Sequence, residues 1–378
     1  MKNAVVIGAG QTGRGYVTRY LFEKNYNITF IDEKDELIEK MNDDKAFCIH
    51  FYHMDRKPLY VNGFNAYLTY TEEATKAIED ADFIFTAVGE QNLEDVAKQI
   101  ALGLKNKEKQ TVVITCENGV NPGSVMRKHL LNENIKSKFV VSQTAVFCST
   151  VIIRGTRLDI LSQNETYFPY DCEEFTDSFD FDGAIPILNF EKFFKRKIYT
   201  YNCLAGLISY CGYIKGYDVY GEAAIDKDIS EMMDELLCEL NPCLEEYFEI
   251  SEDEQKAFAQ KAMDKFKDQY ILDYNVKNGR APQRKLGPTE RIMTPMNILI
   301  EHGKDPKIME FVAAAALVYW EELQGKNNEP MLTKSLIETF NQINSLQPHS
   351  SVSNAVEKYI DEIHKNRNSI NIMSILNQ

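Results

Sequence analysis

The sequence is short of several features, and each shortage excludes a class of protein. Its 378 residues include 42 lysines and arginines against 57 aspartates and glutamates, for a formal net charge of −15. This charge opposes binding to nucleic acid or to an anionic membrane, so we predict neither as a partner. No stretch approaches the ~18 apolar residues of a membrane-spanning helix. The opening MKNAVVIGAG enters a strand-like run without a signal-peptide pattern, which predicts a cytoplasmic protein.

Disulfide and metal-ligand spacings are also missing. The eight cysteines form no CxxC motif and no repeated spacing, as is typical of reduced, mostly buried thiols. His50 and His53 form a close pair, but their alternating aromatic and apolar neighbours indicate a strand and no further ligand stands nearby in the sequence. We therefore predict no metal site.

The chain changes character near its middle. The first part alternates short β-branched runs with amphipathic segments, a pattern that predicts a parallel sheet covered by helices. Within it, Asn62-Gly63 predicts a hairpin. The second half carries long segments of helical periodicity and few β-branched runs. We predict an α/β protein with a Rossmann-like dinucleotide-binding domain over residues 1–187 and a mainly α-helical domain over residues 188–378.

A glycine-rich turn predicts the cofactor site. In VVIGAGQTGRG, Gly8, Gly10 and Gly13 have the GxGxxG spacing, which serves a tight turn, the approach of a pyrophosphate and close helix–strand packing. The following helix N-terminus favours phosphate groups. Asp32 ends the next strand at the distance where an acid binds the adenosine ribose, and its charge favours NAD over NADP. The predicted site also includes the residues Gln11, Thr12 and, on the loop TAVGEQNL, Gly89; an ordinary loop is the alternative for the last.

The segment KRKIYTYN predicts a catalytic base. On a helix, Lys197, Asn202 and Ala205 fall within an arc of ~140°, so one face presents all three. Aromatic neighbours, together with the charges of Lys195 and Arg196, would lower the pKa of Lys197 towards neutrality, where a lysine can accept a proton. A solvated basic helix edge is the alternative reading of this segment alone.

Six motifs together resemble one family. GAGQTGRG, TAVG, TCENGVNPG, FDGAIP, KRKIYTYN and GRAPQRKLGPTERIMTP occur in the order and at the intervals of the mannitol-1-phosphate 5-dehydrogenases, which are long-chain polyol-specific dehydrogenases. The resemblance covers nearly the whole chain. It implies NAD-dependent, zinc-independent interconversion of mannitol 1-phosphate and fructose 6-phosphate by a monomer or weak homodimer. It also implies a catalytic Lys197, with Asn118 and Asn202 steadying the substrate oxygen. Glu117 either assists proton movement or caps a strand end.

The substrate phosphate requires cations. Arg280, Arg284 and Lys285 are the natural candidates, because guanidinium groups bind phosphate oxygens in a bidentate manner. The alternative is that these charges pair with acidic groups of the protein. We expect Arg291 to be an ion-pair residue.

The sequence departs from the family pattern at three places. Ala205 replaces a histidine, and Phe147 with Cys148 replaces an acid and a cation; Val318 and Trp320 stand where the family has a histidine and an arginine. A less polar pocket disfavours a heavily hydroxylated substrate. Two further hypotheses therefore stay open: a reductase of a hexuronate or another hydroxy acid, and a protein that binds NAD without turnover.

Overall fold

A computed structural model describes residues 1–54, 56–105, 107–119, 121–175, 177–325, 333–367 and 369–377. The chain divides into two compact units, Met1–Phe194 and Lys195–Gln378. The predicted fold class is confirmed, because the first unit contains a parallel sheet and the second is built of helices.

Six parallel strands form the central sheet of the first unit, in the order β5-β2-β1-β6-β7-β8. Their bounds are Asn3–Ile7 (β1), Asn27–Asp32 (β2), Asn65–Leu68 (β5), Phe83–Thr86 (β6), Thr111–Thr115 (β7) and Phe139–Gln143 (β8). Successive side chains of a strand point to opposite faces, so Val6 enters one core and Val5 another. The inner strands β1, β6 and β7 are buried on both faces, which explains their continuous apolar runs.

The helices of the first unit connect these strands. They are Thr18–Glu23 (α1), Asp35–Asp44 (α2), Glu72–Asp80 (α3), Leu93–Leu104 (α4) and Pro122–Asn132 (α5). A π-helical turn, Gly13–Val17, leads directly into α1. The parallel order places the carboxyl ends of β1, β2, β6 and β7 at one edge of the sheet, where ligands bind in folds of this type.

Smaller sheets complete the first unit. Ala46–Phe51 (β3), Leu59–Asn62 (β4), Thr150–Ile152 (β9) and Ile160–Ser162 (β10) form one in the order β4-β3-β10-β9. Phe168–Asp171 (β11) pairs in parallel with Ala184–Ile187 (β12).

The predicted hairpin at Asn62-Gly63 is wrong. β4 pairs with β3, whereas β5 pairs with β2 in the central sheet. The intervening Phe64 is buried, with its ring centroid 5.3 Å from that of Phe30 and 5.6 Å from that of Phe47. Burial of this ring directs the chain from one sheet to the other.

The second unit is helical. Phe190–Lys197 (α6) begins in the first unit and ends in the second. A π-helical turn, Ile198–Asn202, connects it to Cys203–Ile214 (α7). The others are Tyr220–Ile225 (α8), Lys227–Phe248 (α9), Glu252–Lys267 (α10), Asn275–Asn278 (α11), Pro282–Lys285 (α12), Met293–Glu301 (α13), Lys307–Gly325 (α14), Thr333–Asn344 (α15), Ser351–Asn366 (α16) and Ile372–Leu376 (α17). Within the described residues, no helix is long and apolar enough to cross a membrane.

Candidate active site

The three glycines of the turn after β1 differ in the space that a side chain would find. A Cβ would collide with neighbouring atoms at Gly8 and Gly13 but not at Gly10. Gly8 has a φ of 94°, and a Cβ there would lie 2.6 Å from the carbonyl oxygen of Ala87. A Cβ on Gly13 would collide with the carbonyl of Gly8. A Cβ on Gly10 would meet none of the described residues within 4 Å. Gly8 and Gly13 therefore serve the fold, while Gly10 leaves space beside the backbone.

Asp32 is fixed beside this turn. Its Oδ2 accepts the Ala9 N–H at 2.7 Å, and its Oδ1 accepts the Lys34 N–H at 3.0 Å. The carboxylate thus lies at the carboxyl end of β2, with lone pairs left for further donors. Gln11 and Thr12 are half-buried residues of the same loop.

A buried acid joins the ends of β6 and β7. Glu117 accepts the Thr86 hydroxyl at 2.9 Å and the Val88 N–H at 3.1 Å. Burial raises its pKa to about 7. The glycine after Val88, Gly89, has a φ of 92°. Asn118, which follows Glu117, is exposed. Glu117 therefore connects the loop that contains Gly89 with the loop that contains Asn118.

Lys197 is buried in the second unit. Lys197 is 3% exposed, and this burial holds the pKa of its amine well below the ordinary range. The neighbouring charges that lower the pKa further belong to Lys265 and Arg291, and not to Lys195 and Arg196 as predicted. Burial and neighbouring cations both favour the neutral form of a lysine amine.

The π turn changes the relation between Lys197 and Asn202. The Cys203 N–H donates to the carbonyl of Ile198, five residues earlier. A regular α-helix at ~100° per residue would separate positions 197 and 202 by ~140°. A turn that closes over about five residues brings them closer to one line. Lys197 and Asn202 therefore share one face more closely than they would on a regular α-helix.

The predicted phosphate-binding cations lie in a dense cluster with one acid. Arg284 is bonded to Oε1 of Glu290, while Arg291 donates from Nε to Oε2 of the same carboxylate at 3.3 Å. Lys285 is 5% exposed, donates to the carbonyl of Asn278, and has its pKa lowered to about 6 by burial and by the nearby arginines. The ion pair that we expected for Arg291 is therefore present, and Arg284 shares its partner.

The third candidate cation, Arg280, differs in exposure. It lies at the surface, and its Nε donates to the carbonyl of Lys277 at 2.9 Å. Both oxygens of Glu290 are engaged by other arginines, whereas Arg280 donates to a backbone carbonyl. Among the residues that the structure describes, no group of three or more histidine, cysteine or acidic side chains could hold a metal ion.

Family comparisons agree with this architecture. The mannitol dehydrogenase Rossmann domain matches residues 2–179, and the mannitol dehydrogenase C-terminal domain matches residues 189–374. The chain belongs to the mannitol dehydrogenase family. This membership makes the protein a dehydrogenase. Because mannitol is a polyol, the protein is a polyol dehydrogenase.

Individual relatives match along nearly the whole chain. A mannitol-1-phosphate 5-dehydrogenase of Thermoanaerobacter pseudethanolicus is 28% identical over 382 residues, covering 96% of this chain and 98% of the relative. One of Arthrobacter sp. is 27% identical and covers 95% and 98%. The structure of Pseudomonas fluorescens mannitol 2-dehydrogenase with NAD and D-mannitol has a TM-score of 0.78 at 12% identity, covering 100% of this chain and 94% of that one. This last likeness shows the shared fold.

Two of the three places where this chain departs from the mannitol dehydrogenase family pattern lie in apolar surroundings. Phe147 is 6% exposed, with ring centroids of Tyr167 at 5.2 Å and of Phe193 at 6.1 Å. Val318 and Trp320 are buried within α14. A charged side chain at these positions would lose its hydration, so the replacements agree with their surroundings.

Sequence reasoning missed three features of the site. Glu290, which engages two arginines, stands next to Arg291 in PTER, and this adjacency was the available signal. Arg14 follows Gly13, is 1% exposed, and has Nε and Nη1 atoms without a hydrogen-bond partner in the described part of the chain. Gln255, which contacts the π turn, carries no local sequence signal.

Proposed function

We propose that this protein is an NAD-dependent oxidoreductase that interconverts mannitol 1-phosphate and fructose 6-phosphate, with Lys197 as general acid and base. The observation that carries the proposal is the buried amine of Lys197, whose pKa is lowered by burial and by cations, on the same helix face as Asn202. The relatives named mannitol-1-phosphate 5-dehydrogenase support the choice of substrate.

The nucleotide site fits NAD. The open space at Gly10 accommodates a pyrophosphate beside the backbone, between the closed positions Gly8 and Gly13. Asp32 has lone pairs for the ribose hydroxyls, and its charge repels a 2′-phosphate. Gln11, Thr12 and Gly89 complete the proposed set. When bound, the nicotinamide supplies hydride acceptance or donation.

Lys197 moves the proton of the reaction. In oxidation, its neutral amine accepts the proton of the substrate hydroxyl; in reduction, its ammonium returns a proton to the carbonyl oxygen. Asn202 donates amide N–H groups to the substrate oxygen, on which charge grows during the reaction, and the resemblance to the family implies the same role for Asn118. Burial and the charges of Lys265 and Arg291 hold the pKa of this amine well below its ordinary range, which makes the neutral, proton-accepting form more accessible.

In this proposal, cations of the second unit bind the phosphate group of the substrate. Arg280, Arg284 and Lys285 bind its oxygens, and Arg284 keeps donors for this contact because Glu290 engages one of its nitrogens. Phosphate binding returns the charge to Lys285, because a nearby anion favours the ammonium form.

A spectrophotometric assay tests the proposal. Purified protein with NADH is given fructose 6-phosphate or fructuronate, and nicotinamide absorbance is followed. We expect turnover with fructose 6-phosphate, and its loss in Lys197→Ala with NADH affinity unchanged. Retained turnover in Lys197→Ala excludes this residue as the base. NADH binding without turnover on either substrate indicates a binding protein.

One observation favours a second substrate class. The aromatic cluster around Phe147 and the methyl group of Ala205 replace polar groups of the family pattern, so a less hydroxylated, carboxylated substrate would lose fewer hydrogen bonds there. Turnover with fructuronate alone would support a hexuronate or hydroxy-acid reductase.

A further inference from the structure

The π turn at Ile198–Asn202 is a local geometry that needs support from its surroundings. Turns of this type are rare and occur frequently at functional sites. A disfavoured backbone arrangement persists only where the surrounding structure over-determines it. The contacts of the turn therefore identify the residues that maintain the relation between Lys197 and Asn202.

Gln255 of α10 bonds to both sides of Lys197 along the chain. Gln255 is fully buried, at 0% exposure. Its Oε1 accepts the Nε–H of Arg196 at 2.8 Å, and its Nε2 donates to Oγ1 of Thr200 at 3.2 Å. The same nitrogen donates to Oδ1 of Asn241 at 3.0 Å. One side-chain amide thus fixes the residue before Lys197 and a residue inside the π turn.

Arg196 is fixed to the same helix by independent contacts. Its Nη1 lies 2.5 Å from Oε1 of Glu254, and its Nη2 donates to the Glu254 carbonyl at 2.7 Å. Its guanidinium carbon lies 4.3 Å from the ring centroid of Phe258, whose ring is 4.9 Å from that of Tyr201 in the π turn. Arg196, predicted to act on Lys197 through its charge, is instead a structural contact to α10.

We propose that Gln255 is a positioning residue, which maintains the π turn and so fixes the amine of Lys197 relative to the amide of Asn202. The inference rests on the proposed catalytic role of Lys197. Without the Gln255 contacts, the turn can relax towards α-helical spacing, which widens the angle between positions 197 and 202 to ~140°. The amine then loses its alignment with Asn202 and gains hydration.

Two isosteric variants and one control test this inference. Gln255→Met removes all three hydrogen bonds at similar volume, and Thr200→Val removes only the acceptor in the turn. Asn341→Leu is the control, because Asn341 is also a buried amide but donates to Ser353 between α15 and α16. All three variants lose buried hydrogen bonds, so general destabilisation should affect the control as well.

Kinetics and the pH profile separate positioning from stability. We expect kcat for mannitol 1-phosphate oxidation to fall ~10- to 100-fold in Gln255→Met, and less in Thr200→Val, because misplacement of a catalytic group by about 1 Å can cost that much. KM should change less than ~3-fold, since the phosphate-binding cations are untouched. The pH at which kcat rises should move upward by about one unit as the amine becomes hydrated. Asn341→Leu should show none of these changes.

An activity-independent measurement distinguishes failure of this inference from failure of the proposed function. NMR titration of the Lys197 side chain, assigned with Lys197→Ala, should show a higher pKa in Gln255→Met than in wild type. If wild type turns over no substrate, the proposed function fails, and this titration still decides the positioning role. An unchanged Lys197 pKa with kcat within ~2-fold of wild type in both variants overturns the inference, as does an equal loss in Asn341→Leu. If Gln255→Met does not fold, Thr200→Val decides.

Discussion

Oδ2 of Asp32 lies 2.7 Å from the backbone nitrogen of Ala9, the residue between the first two glycines of the turn. This hydrogen bond fixes the carboxylate against the loop at which the proposed pyrophosphate site lies. The acid is therefore positioned before any ligand binds, and in the proposed NAD site its charge would act on the ribose end of the dinucleotide.

Replacing Asp32 by Asn should weaken NADH binding and improve NADPH binding. Asn keeps an acceptor for the Ala9 N–H but loses the negative charge, so we expect a loss of ~10-fold in NADH affinity and a change of ~10- to 100-fold in the NADH/NADPH ratio. Fluorescence titration with each nucleotide measures both. Asp35→Asn, at an exposed position in the first turn of α2, is the control. Unchanged ratios in Asp32→Asn would place the ribose elsewhere.

Alanine at two glycines should separate cofactor binding from folding. In Gly10→Ala the new Cβ meets open space, so the melting temperature should stay within ~2 °C while NADH affinity falls at least ~10-fold. In Gly13→Ala the Cβ collides with the Gly8 carbonyl, so the melting temperature itself should fall. Thermal unfolding and NADH titration of both variants provide the test. Full NADH affinity in Gly10→Ala would contradict the assigned phosphate position.

The inner strands β1, β6 and β7 could be predicted because both their faces are buried. The strand that we expected to end at Asp32 is β2, Asn27–Asp32; the glycine turn and Asp32 followed from one local pattern. The path at Asn62-Gly63 could not be predicted in this way. It depends on burial of Phe64 against residues distant in sequence, which overrides the local turn preference.

The site was predictable where it is local and unpredictable where it depends on tertiary contacts. Burial of Lys197 was expected from its aromatic neighbours, but the cations that act on it come from α10 and from the segment after α12. The π turn was also missed, because its support comes from Gln255, more than fifty residues away in the chain. Periodicity at ~100° per residue assumes regular helix and cannot reveal an insertion of this kind.

Binding of the phosphorylated substrate should take up a proton through Lys285. The pKa of this amine is lowered to about 6, so most of it is neutral at pH 7.5. A bound phosphate favours the ammonium form, and we expect uptake of up to ~1 proton per fructose 6-phosphate at this pH. Calorimetric titration in buffers of different ionisation enthalpy measures the uptake. Fructose, which lacks the phosphate, and the variant Lys285→Met should each show much less. Equal uptake in Lys285→Met would assign the proton to another group.

Replacing Lys197 by Met should abolish turnover and stabilise the protein. The folded-state pKa of this lysine lies below its unfolded value, so near neutral pH the unfolded chain binds a proton that the folded chain releases or holds at a cost. Stability therefore decreases as pH falls below the unfolded pKa of ~10.4, and Met removes this dependence. We expect the melting temperature of Lys197→Met to exceed that of wild type by ~2–8 °C at pH 7, with a smaller difference at pH 9.5. Lys261→Met, at an exposed position of α10, should show no such trend. A variant that is less stable than wild type at pH 7 would mean that the amine is charged and favourably bonded in the folded protein, which contradicts its role as a base.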